Sequence, residues 1–231
     1  MSGRVVVVTG GTRGIGRAVA ERFSALGDRV VALGRADCDV TDEGQVDAAF
    51  GRIGPVDVLV NNAGVSSSAD LARTTLQDWR AQVDVNATGA FLCTRAALGG
   101  MRERDSGRIV TVASTAGLAG AKYTAAYTAS KHAAVGLMRA VAAEVAGTGV
   151  TANAVCPGFV RTDMTRASVA RIAASARRSE AEAEAAVAAL SPLGRLLEPD
   201  EVAFAVAFLA APEAGAINGQ TLVLDGGGIQ A

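Results

Sequence analysis

The sequence predicts one α/β domain built on a doubly wound parallel sheet, and two observations lead to this fold class. Short runs rich in valine, isoleucine and leucine alternate along the chain with longer alanine-rich stretches of helical periodicity. Strands that are apolar along their whole length are typical of parallel sheets covered by helices on both faces. A length of 231 residues suits one domain, because it is enough to bury most of the surface that the unfolded chain exposes.

The elements follow one another in strand–helix order. Strands are expected at residues 4–8, 29–33, 56–60, 108–112, 150–155 and 221–224, and helices at about 15–26, 42–52, 75–101, 127–146 and 199–211. The helix at 127–146 carries a broad apolar stripe that can pack against the sheet. The segment 162–189 is rich in alanine, arginine and glutamate. We expect it to be helical and, within a segment of about 162–196, to form either a lid over a site or a plain pair of surface helices.

Composition and charge exclude several classes of protein. The chain has 22 Lys and Arg against 23 Asp and Glu and is 50% apolar, which argues against disorder and against nucleic-acid or membrane partners. Its apolar runs are too short for a secretory signal or a membrane span. Cys38, Cys93 and Cys156 lack a metal-binding or disulfide spacing, so we expect a cytoplasmic protein without a metal site.

A glycine-rich turn, Thr9-Gly-Gly-Thr-Arg-Gly-Ile-Gly16, joins the first strand to the first helix. Glycines let the backbone approach a pyrophosphate, and the helix N-terminus supplies unpaired N–H groups. The spacing differs from G-x-G-x-x-G, and Arg17 after Gly16 excludes a Walker A phosphate loop. The turn alone is therefore compatible with a nucleotide site or with an ordinary strand-to-helix connection.

Further motifs follow later strands in the order Asn61-Asn62-Ala63-Gly64, Ser114 with Tyr127-x-x-x-Lys131, Pro157-Gly158 and Leu224-Asp225-Gly226-Gly227. Together with the glycine turn they resemble the short-chain dehydrogenase/reductase family over residues 4–228. The resemblance implies a Rossmann-like fold. It also implies an oxidoreductase that transfers a hydride reversibly between a nicotinamide and a ketone or secondary alcohol.

The residues Ser114, Tyr127 and Lys131 have the chemistry that such a reaction needs. Tyr127 and Lys131 lie four positions apart on a predicted helix and share a face, so the ammonium should lower the pKa of the phenol. Ser114 can donate a hydrogen bond to a carbonyl oxygen. The resemblance implies that Tyr127 transfers the proton, Ser114 polarises the substrate, Lys131 also binds the nicotinamide ribose, and Asn86 belongs to a proton relay. Without the other motifs, these residues would read as a surface helix pair and a strand-end cap.

The resemblance also implies a set of cofactor contacts. These are Gly10, Thr12, Arg13, Gly14, Ile15, Gly16, Arg35, Asp39, Val40, Asn62, Ala63, Gly64, Tyr127, Lys131, Pro157, Gly158, Val160 and Thr162. NADPH is favoured, because Gly34 stands where NAD-preferring relatives carry Asp, and Arg35 and Arg13 could accept a 2′-phosphate. NAD is the alternative, because Asp37 could reach the ribose.

The second crossover departs from the family pattern. Only five residues separate Leu33 from Asp39, where the family places a whole helix. A parallel crossover needs about a dozen residues or more. The sequence therefore predicts that this helix is deleted, that the family's third strand is lost or reduced, and that the adenine pocket is unusually open.

The resemblance extends to β-ketoacyl and polyketide ketoreductases through the run 148–160 and the length of the lid. A phosphate-bearing acyl carrier could be attracted by lid arginines, although neighbouring glutamates also allow a salt-bridged surface; the arginines are Arg161, Arg166, Arg171, Arg177, Arg178 and Arg195. We expect a 3-oxoacyl thioester reductase. The alternatives are an NAD-dependent secondary-alcohol or 3-hydroxyacyl-CoA dehydrogenase and a non-catalytic NADP-binding regulator. The resemblance further implies a homodimer or homotetramer.

Overall fold

A computed structural model describes residues 3–230 of the chain. Its strands are β1 (Val5–Thr9), β2 (Arg29–Leu33), β3 (Val58–Asn61), β4 (Gly107–Val112), β5 (Val150–Pro157) and β6 (Thr221–Leu224). They form one parallel sheet in the order β2-β1-β3-β4-β5-β6. The chain winds outward in both directions from β1 and β3, which is the doubly wound topology. The predicted Rossmann-like fold class is confirmed.

The helices are α1 (Gly14–Ala25), α2 (Glu43–Ile53), α3 (Leu76–Val83), α4 (Gly89–Glu103), α5 (Ala125–Glu144), α6 (Asp163–Ala176), α7 (Glu180–Ala188) and α8 (Pro199–Leu209). The prediction of one helix over 75–101 is wrong in one respect. A π-helical turn, Asp84–Thr88, separates α3 from α4. Apolar periodicity does not reveal such a turn, because the chain stays helical on both sides of it.

The valine-rich strands are buried on both sides because each side faces a helical layer. In β1, Val6 and Val8 belong to the core shared with α1 and α8. Val7 between them points to the other face, where it joins the core shared with α2, α4 and α5. This alternation explains why the strands show continuous apolar runs instead of a polar–apolar pattern.

β2 forms an edge of the sheet, and the described chain has no strand between β2 and α2. After Leu33 the chain reverses within a tight turn, in which the N–H groups of Asp37 and Cys38 donate to the Gly34 carbonyl oxygen at 3.0 and 3.1 Å. Cys38 and Val40 are then buried against α2. The predicted loss of the crossover helix and of the following strand is confirmed, and the physical reason is the shortness of the connection.

The segment 162–196 contains α6, α7 and the turn that leads back to the sheet. It has a small core of its own, formed by Val169, Ala173, Ala183, Val187 and Leu196. The two ends of the segment are held together where Arg161 N donates to Leu197 O at 2.8 Å and Leu197 N donates to Phe159 O at 2.9 Å. The segment therefore has a core of its own and is joined to the rest of the fold by backbone hydrogen bonds near its ends and by the bond from Ser191 Oγ to Asp225 O at 3.2 Å.

None of the helices within residues 3–230 is both long and apolar enough to cross a membrane. Those same residues contain no cluster of His, Cys, Asp and Glu that could hold a metal ion. Cys38, Cys93 and Cys156 are free thiols buried in the core, so they pack as small apolar side chains.

Candidate active site

The sequence-predicted site residues gather at the carboxyl edge of the sheet. The glycine turn follows β1, residues 34–42 follow β2, Asn62-Ala63-Gly64 follows β3, Ser114 follows β4, and the run from Gly158 to Thr162 follows β5. Parallel strands bring their carboxyl ends to one edge, and ligands of such sheets bind there, near the point where the strand order reverses.

Ser114, Tyr127 and Lys131 are brought together by the end of β4 and the first turns of α5. The Ser114 hydroxyl accepts a hydrogen bond from Ala116 N at 3.1 Å, and it lies close enough to the Tyr127 phenol to lower the pKa of that group. Lys131 Nζ lies 5.8 Å from the centre of the Tyr127 ring. The lysine is only 6% exposed, so its charge is held inside the protein.

Burial dominates the titration of this group. It lowers the pKa of Lys131 to about 8, because the ammonium loses its hydration. It raises the pKa of the half-buried Tyr127, and the hydrogen bond with Ser114 offsets this only in part. The expectation that Lys131 lowers the phenol pKa is not met in this structure. The ammonium instead donates to Val112 O at 3.0 Å, and burial alone sets the upward direction of the Tyr127 pKa.

The π-helical turn places Asn86 between the loop after β3 and α5. Its Oδ1 accepts from Val65 N at 2.8 Å, and its Nδ2 donates to Val65 O and to Ser130 Oγ, both at 2.9 Å. Ser130 Oγ in turn donates to the backbone carbonyl of Tyr127 at 2.8 Å. The Asn86 side chain is thus fully engaged as a cross-link that fixes the start of α5 and, with it, Tyr127.

The turn between β1 and α1 fits an anionic group. A Cβ on Gly16 would lie 2.2 Å from Gly10 O and 2.4 Å from Asn62 Nδ2, so only glycine can occupy this position. Gly10 and Gly14 have φ angles of 63° and 51°, which favour glycine. Arg13 at the N-cap of α1 makes no side-chain capping bond, and this leaves the first N–H groups of α1 for a ligand such as a pyrophosphate.

Asn62 and Thr9 tie the loop after β3 to this turn. Asn62 Nδ2 donates to the carbonyl oxygens of Thr9 and Gly10 at 2.9 and 3.1 Å. Thr9 Oγ1 accepts from the N–H groups of Asn62 and Ala63 at 3.0 and 3.1 Å. Further along, a Cβ on Gly64 would lie 3.6 Å from Lys131 Nζ. The loop therefore runs from the glycine turn to the buried lysine.

The start of the segment 162–196 lies over the glycine turn. Thr162 caps α6 through a hydrogen bond from Thr165 N, and its Cγ2 would be 3.3 Å from a Cβ on Gly14. Gly158 N donates to Leu224 O at 2.9 Å, and Val160 pairs with Leu197. The run from Pro157 to Thr162 is thus fixed at both ends, with its middle facing the same edge of the sheet.

The loop after β2 holds its charged residues in different ways. The Arg35 side chain is 88% exposed, with Nη2 3.4 Å from Asp39 Oδ2. Hydrogen bonds from Thr41 and the proximity of Arg35 lower the pKa of the Asp39 carboxyl. Val40 is buried and would contact a Cβ on Gly89 at 2.7 Å. The Arg35 side chain is therefore far more exposed than that of Asp39, its neighbour in this loop.

Thr9 opens the glycine-rich motif, but the sequence predicted no role for its side chain, nor any for Ser130 or Val112. Thr9 has a recognisable signal, because it is the one polar residue ending an otherwise apolar strand. Ser130 acts as a link between Asn86 and α5, which only the fold reveals. Val112 contributes a backbone carbonyl, and no residue type could have indicated this role.

A family model described as Enoyl-(Acyl carrier protein) reductase matches residues 32–228. The chain belongs to the short-chain dehydrogenase/reductase family. It is therefore an oxidoreductase that acts on carbonyl and alcohol groups, as the motifs predict.

Individual relatives and a solved structure agree with this assignment. The chain is 40% identical over 250 residues to a putative ketoacyl reductase of Streptomyces coelicolor, covering 96% of each chain. It is 36% identical to the 3-oxoacyl-[acyl-carrier-protein] reductase FabG of Vibrio cholerae, covering 98% of each. A variant of actinorhodin polyketide ketoreductase, solved with NADPH, superimposes with a TM-score of 0.89 at 36% identity and 97% coverage of both chains.

Proposed function

We propose that this chain reduces the keto group of a 3-oxoacyl thioester to a secondary alcohol, with NADPH as the hydride donor. The observation that carries the proposal is the enclosed group of Ser114, Tyr127 and Lys131 beside a glycine turn that fits a pyrophosphate. Relatives named as ketoacyl reductases support the substrate class. The similar structure solved with NADPH supports the choice of nucleotide.

The residues of the site divide the work of carbonyl reduction among them. When bound, the reduced nicotinamide supplies the hydride that adds to the carbonyl carbon. Ser114 accepts its bond from Ala116 N, so its own O–H can donate to the carbonyl oxygen. Tyr127 donates a second hydrogen bond and then its proton, and together these donors stabilise the developing alkoxide. The burial that raises the pKa of Tyr127 keeps the phenol protonated for this step.

The cofactor contacts follow the carboxyl edge of the sheet. The N–H groups at the start of α1, from Gly14 to Gly16, receive the pyrophosphate. The loop Asn62-Ala63-Gly64 and the run from Gly158 to Thr162 line the nicotinamide half, where Lys131 reaches the ribose. Asp39 and Val40 border the adenine. The proposal treats residues 1–231 as one domain that contains the whole site.

The segment 162–196 is proposed as the substrate lid. Arg166 pairs with Asp163, Arg195 with Glu201, and Arg161, which precedes the segment, with Glu184 and Glu198. Within the described residues, Arg171 in α6 and Arg177 and Arg178 after it form no ion pair, and these three support an encounter with a phosphate-bearing acyl carrier. Arg161, Arg166 and Arg195, by contrast, belong to a salt-bridged surface.

We also propose that the chain acts as a homodimer or homotetramer in the cytoplasm. Phe91 on α4 and Phe204 and Phe208 on α8 are 42%, 59% and 48% exposed, and apolar side chains of this size support contact with further subunits. The three free, buried thiols support a reducing compartment.

The test follows NADPH absorbance while the purified chain meets acetoacetyl-CoA, with NADH in parallel and Tyr127→Phe as the inactive control. The expected result is consumption of NADPH that the substitution abolishes. Reduction of crotonyl-CoA instead would assign the chain to C=C chemistry. Faster oxidation of 3-hydroxybutyryl-CoA with NAD would favour the dehydrogenase alternative. Tight NADPH binding without turnover of any ketone would favour the regulator.

A further inference from the structure

The turn that replaces the missing crossover helix brings an acidic side chain back to the end of β2. Gly34 N donates to Asp37 Oδ2 at 2.8 Å, and Asp37 N donates to Gly34 O at 3.0 Å. Gly34 and Asp37 are therefore joined by two hydrogen bonds, one to the Asp37 side chain and one between backbone groups.

The space beside Gly34 is already taken by this carboxylate and by the glycine turn. A Cβ on Gly34 would lie 3.2 Å from Asp37 Oδ2 and 3.0 Å from Thr12 Cγ2. A side chain on residue 34 would therefore have to displace one of these groups by a few tenths of an ångström. The Asp37 carboxylate lies beside the position to which such a side chain would project.

In dinucleotide-binding folds, a carboxylate at the end of the second strand hydrogen-bonds the adenosine 2′-hydroxyl and repels a 2′-phosphate. Judged by position 34 alone, this chain lacks that group. We infer that Asp37 supplies it and is the residue that limits the preference for NADPH over NADH. The inference rests on the proposed function, because it concerns the proposed nucleotide.

The Asp37 carboxylate is held more firmly than the side chains of Arg35 and Arg13, the two cations that could attract a 2′-phosphate. Asp37 is an exposed residue, yet its carboxylate is fixed by Gly34 N, so little side-chain freedom remains to be lost when a ligand binds. Arg35 is almost fully exposed and shares Asp39, and Arg13 is exposed at the N-cap of α1. Both arginines must be ordered to meet a 2′-phosphate. The fixed carboxylate therefore offsets much of their attraction.

The test is equilibrium binding of NADPH and of NADH by calorimetry to wild type and to Asp37→Asn. The amide keeps the size of the side chain and an oxygen acceptor for Gly34 N, and it removes the charge. The ratio of Kd for NADH to Kd for NADPH should rise about tenfold, as expected for a unit charge beside a doubly charged phosphate in water-like surroundings. Asp47→Asn on α2 is the matched control, and it should leave the ratio unchanged.

The outcomes separate this inference from the proposed function. If wild type binds NADPH but Asp37→Asn leaves the ratio unchanged, Asp37 is not the determinant and the proposed function stands. If wild type binds neither nucleotide, both fail. Thermal unfolding checks that the variant is folded. Should it not be, Asp37→Ser repeats the test, because its hydroxyl can still accept the hydrogen bond from Gly34 N.

Discussion

Lys131 directs its ammonium at the backbone carbonyl of Val112, with 3.0 Å between Nζ and the carbonyl oxygen. The end of β4 thus anchors the cation beside Tyr127, and no acidic side chain of the described residues pairs with it. Burial holds the pKa of Lys131 at about 8, which places its titration close to physiological pH. Catalysis and stability should both depend on this arrangement.

The first prediction concerns the pH dependence of ketone reduction. Lys131 is charged below its pKa of about 8, while the raised pKa of Tyr127 keeps the phenol protonated. We expect kcat/KM for acetoacetyl-CoA reduction to fall as pH rises through about 8, because Lys131 then loses its charge. A profile that stays flat well above this value would contradict the prediction. The Lys131→Arg variant keeps its charge over this whole pH range, so its remaining activity should not decline as pH rises through about 8.

The second prediction concerns stability. In the unfolded chain Lys131 has its ordinary pKa of 10.5, and in the folded chain it has one of about 8. The unfolded state therefore binds this proton more tightly, so the charge opposes folding at neutral pH, and stability is regained between these two values. The buried charge lowers the free energy of unfolding by about 3 kcal/mol at pH 7. The Lys131→Met variant should regain only about 2 kcal/mol of this, because it also loses the hydrogen bond to Val112.

Urea unfolding measures this difference. Lys131→Met should be more stable than wild type at pH 7, and the gap should narrow by about 1 kcal/mol at pH 9 as wild type loses its charge. Lys122→Met is the control, because Lys122 is exposed and its removal should change stability by less than about 0.5 kcal/mol. A methionine variant less stable than wild type at pH 7 would refute the argument.

The third prediction concerns the glycine turn. Gly16→Ala places a Cβ 2.2 Å from Gly10 O, so the turn must open and its N–H groups must lose their alignment. We expect the affinity for NADPH, measured by calorimetry, to fall more than about tenfold. Gly51→Ala in α2 is the control, because a Cβ there meets nothing within 4 Å. It should leave binding intact and stabilise the helix by about 0.5–1 kcal/mol.

The fourth prediction concerns the Asn86 cross-link. Asn86→Asp replaces the two donor bonds of Nδ2, to Val65 O and Ser130 Oγ, by a carboxylate oxygen that faces the Val65 carbonyl. The expected cost is about 2–4 kcal/mol of unfolding free energy at pH 7. The new buried carboxyl should have a raised pKa, so the variant protein loses stability as pH rises and the carboxyl ionises. The deficit should therefore shrink at pH 5, and an equal deficit at both pH values would contradict this account.

Much of the site could be predicted because motif spacing maps directly onto a parallel sheet. Once the strands between Val5 and Pro157 were identified, their carboxyl ends had to meet at one edge, and Ser114, Asn62 and the glycine turn came together with them. The short connection from Leu33 to Asp39 also sufficed to predict a lost strand, since chain length alone forbids the crossover.

The sequence by itself determined the family, the doubly wound sheet and the candidate catalytic side chains, because these depend on local periodicity and residue type. Only the tertiary structure decided how the side chains are held. The π-helical turn at Asn86, the bond from Lys131 to Val112 and the contact of Asp37 with Gly34 all join segments or backbone atoms whose meeting no residue pattern records. Burial sets the direction of the pKa shifts of Tyr127 and Lys131. It depends on how the whole molecule packs, so the spacing of four residues between Tyr127 and Lys131 could not predict it.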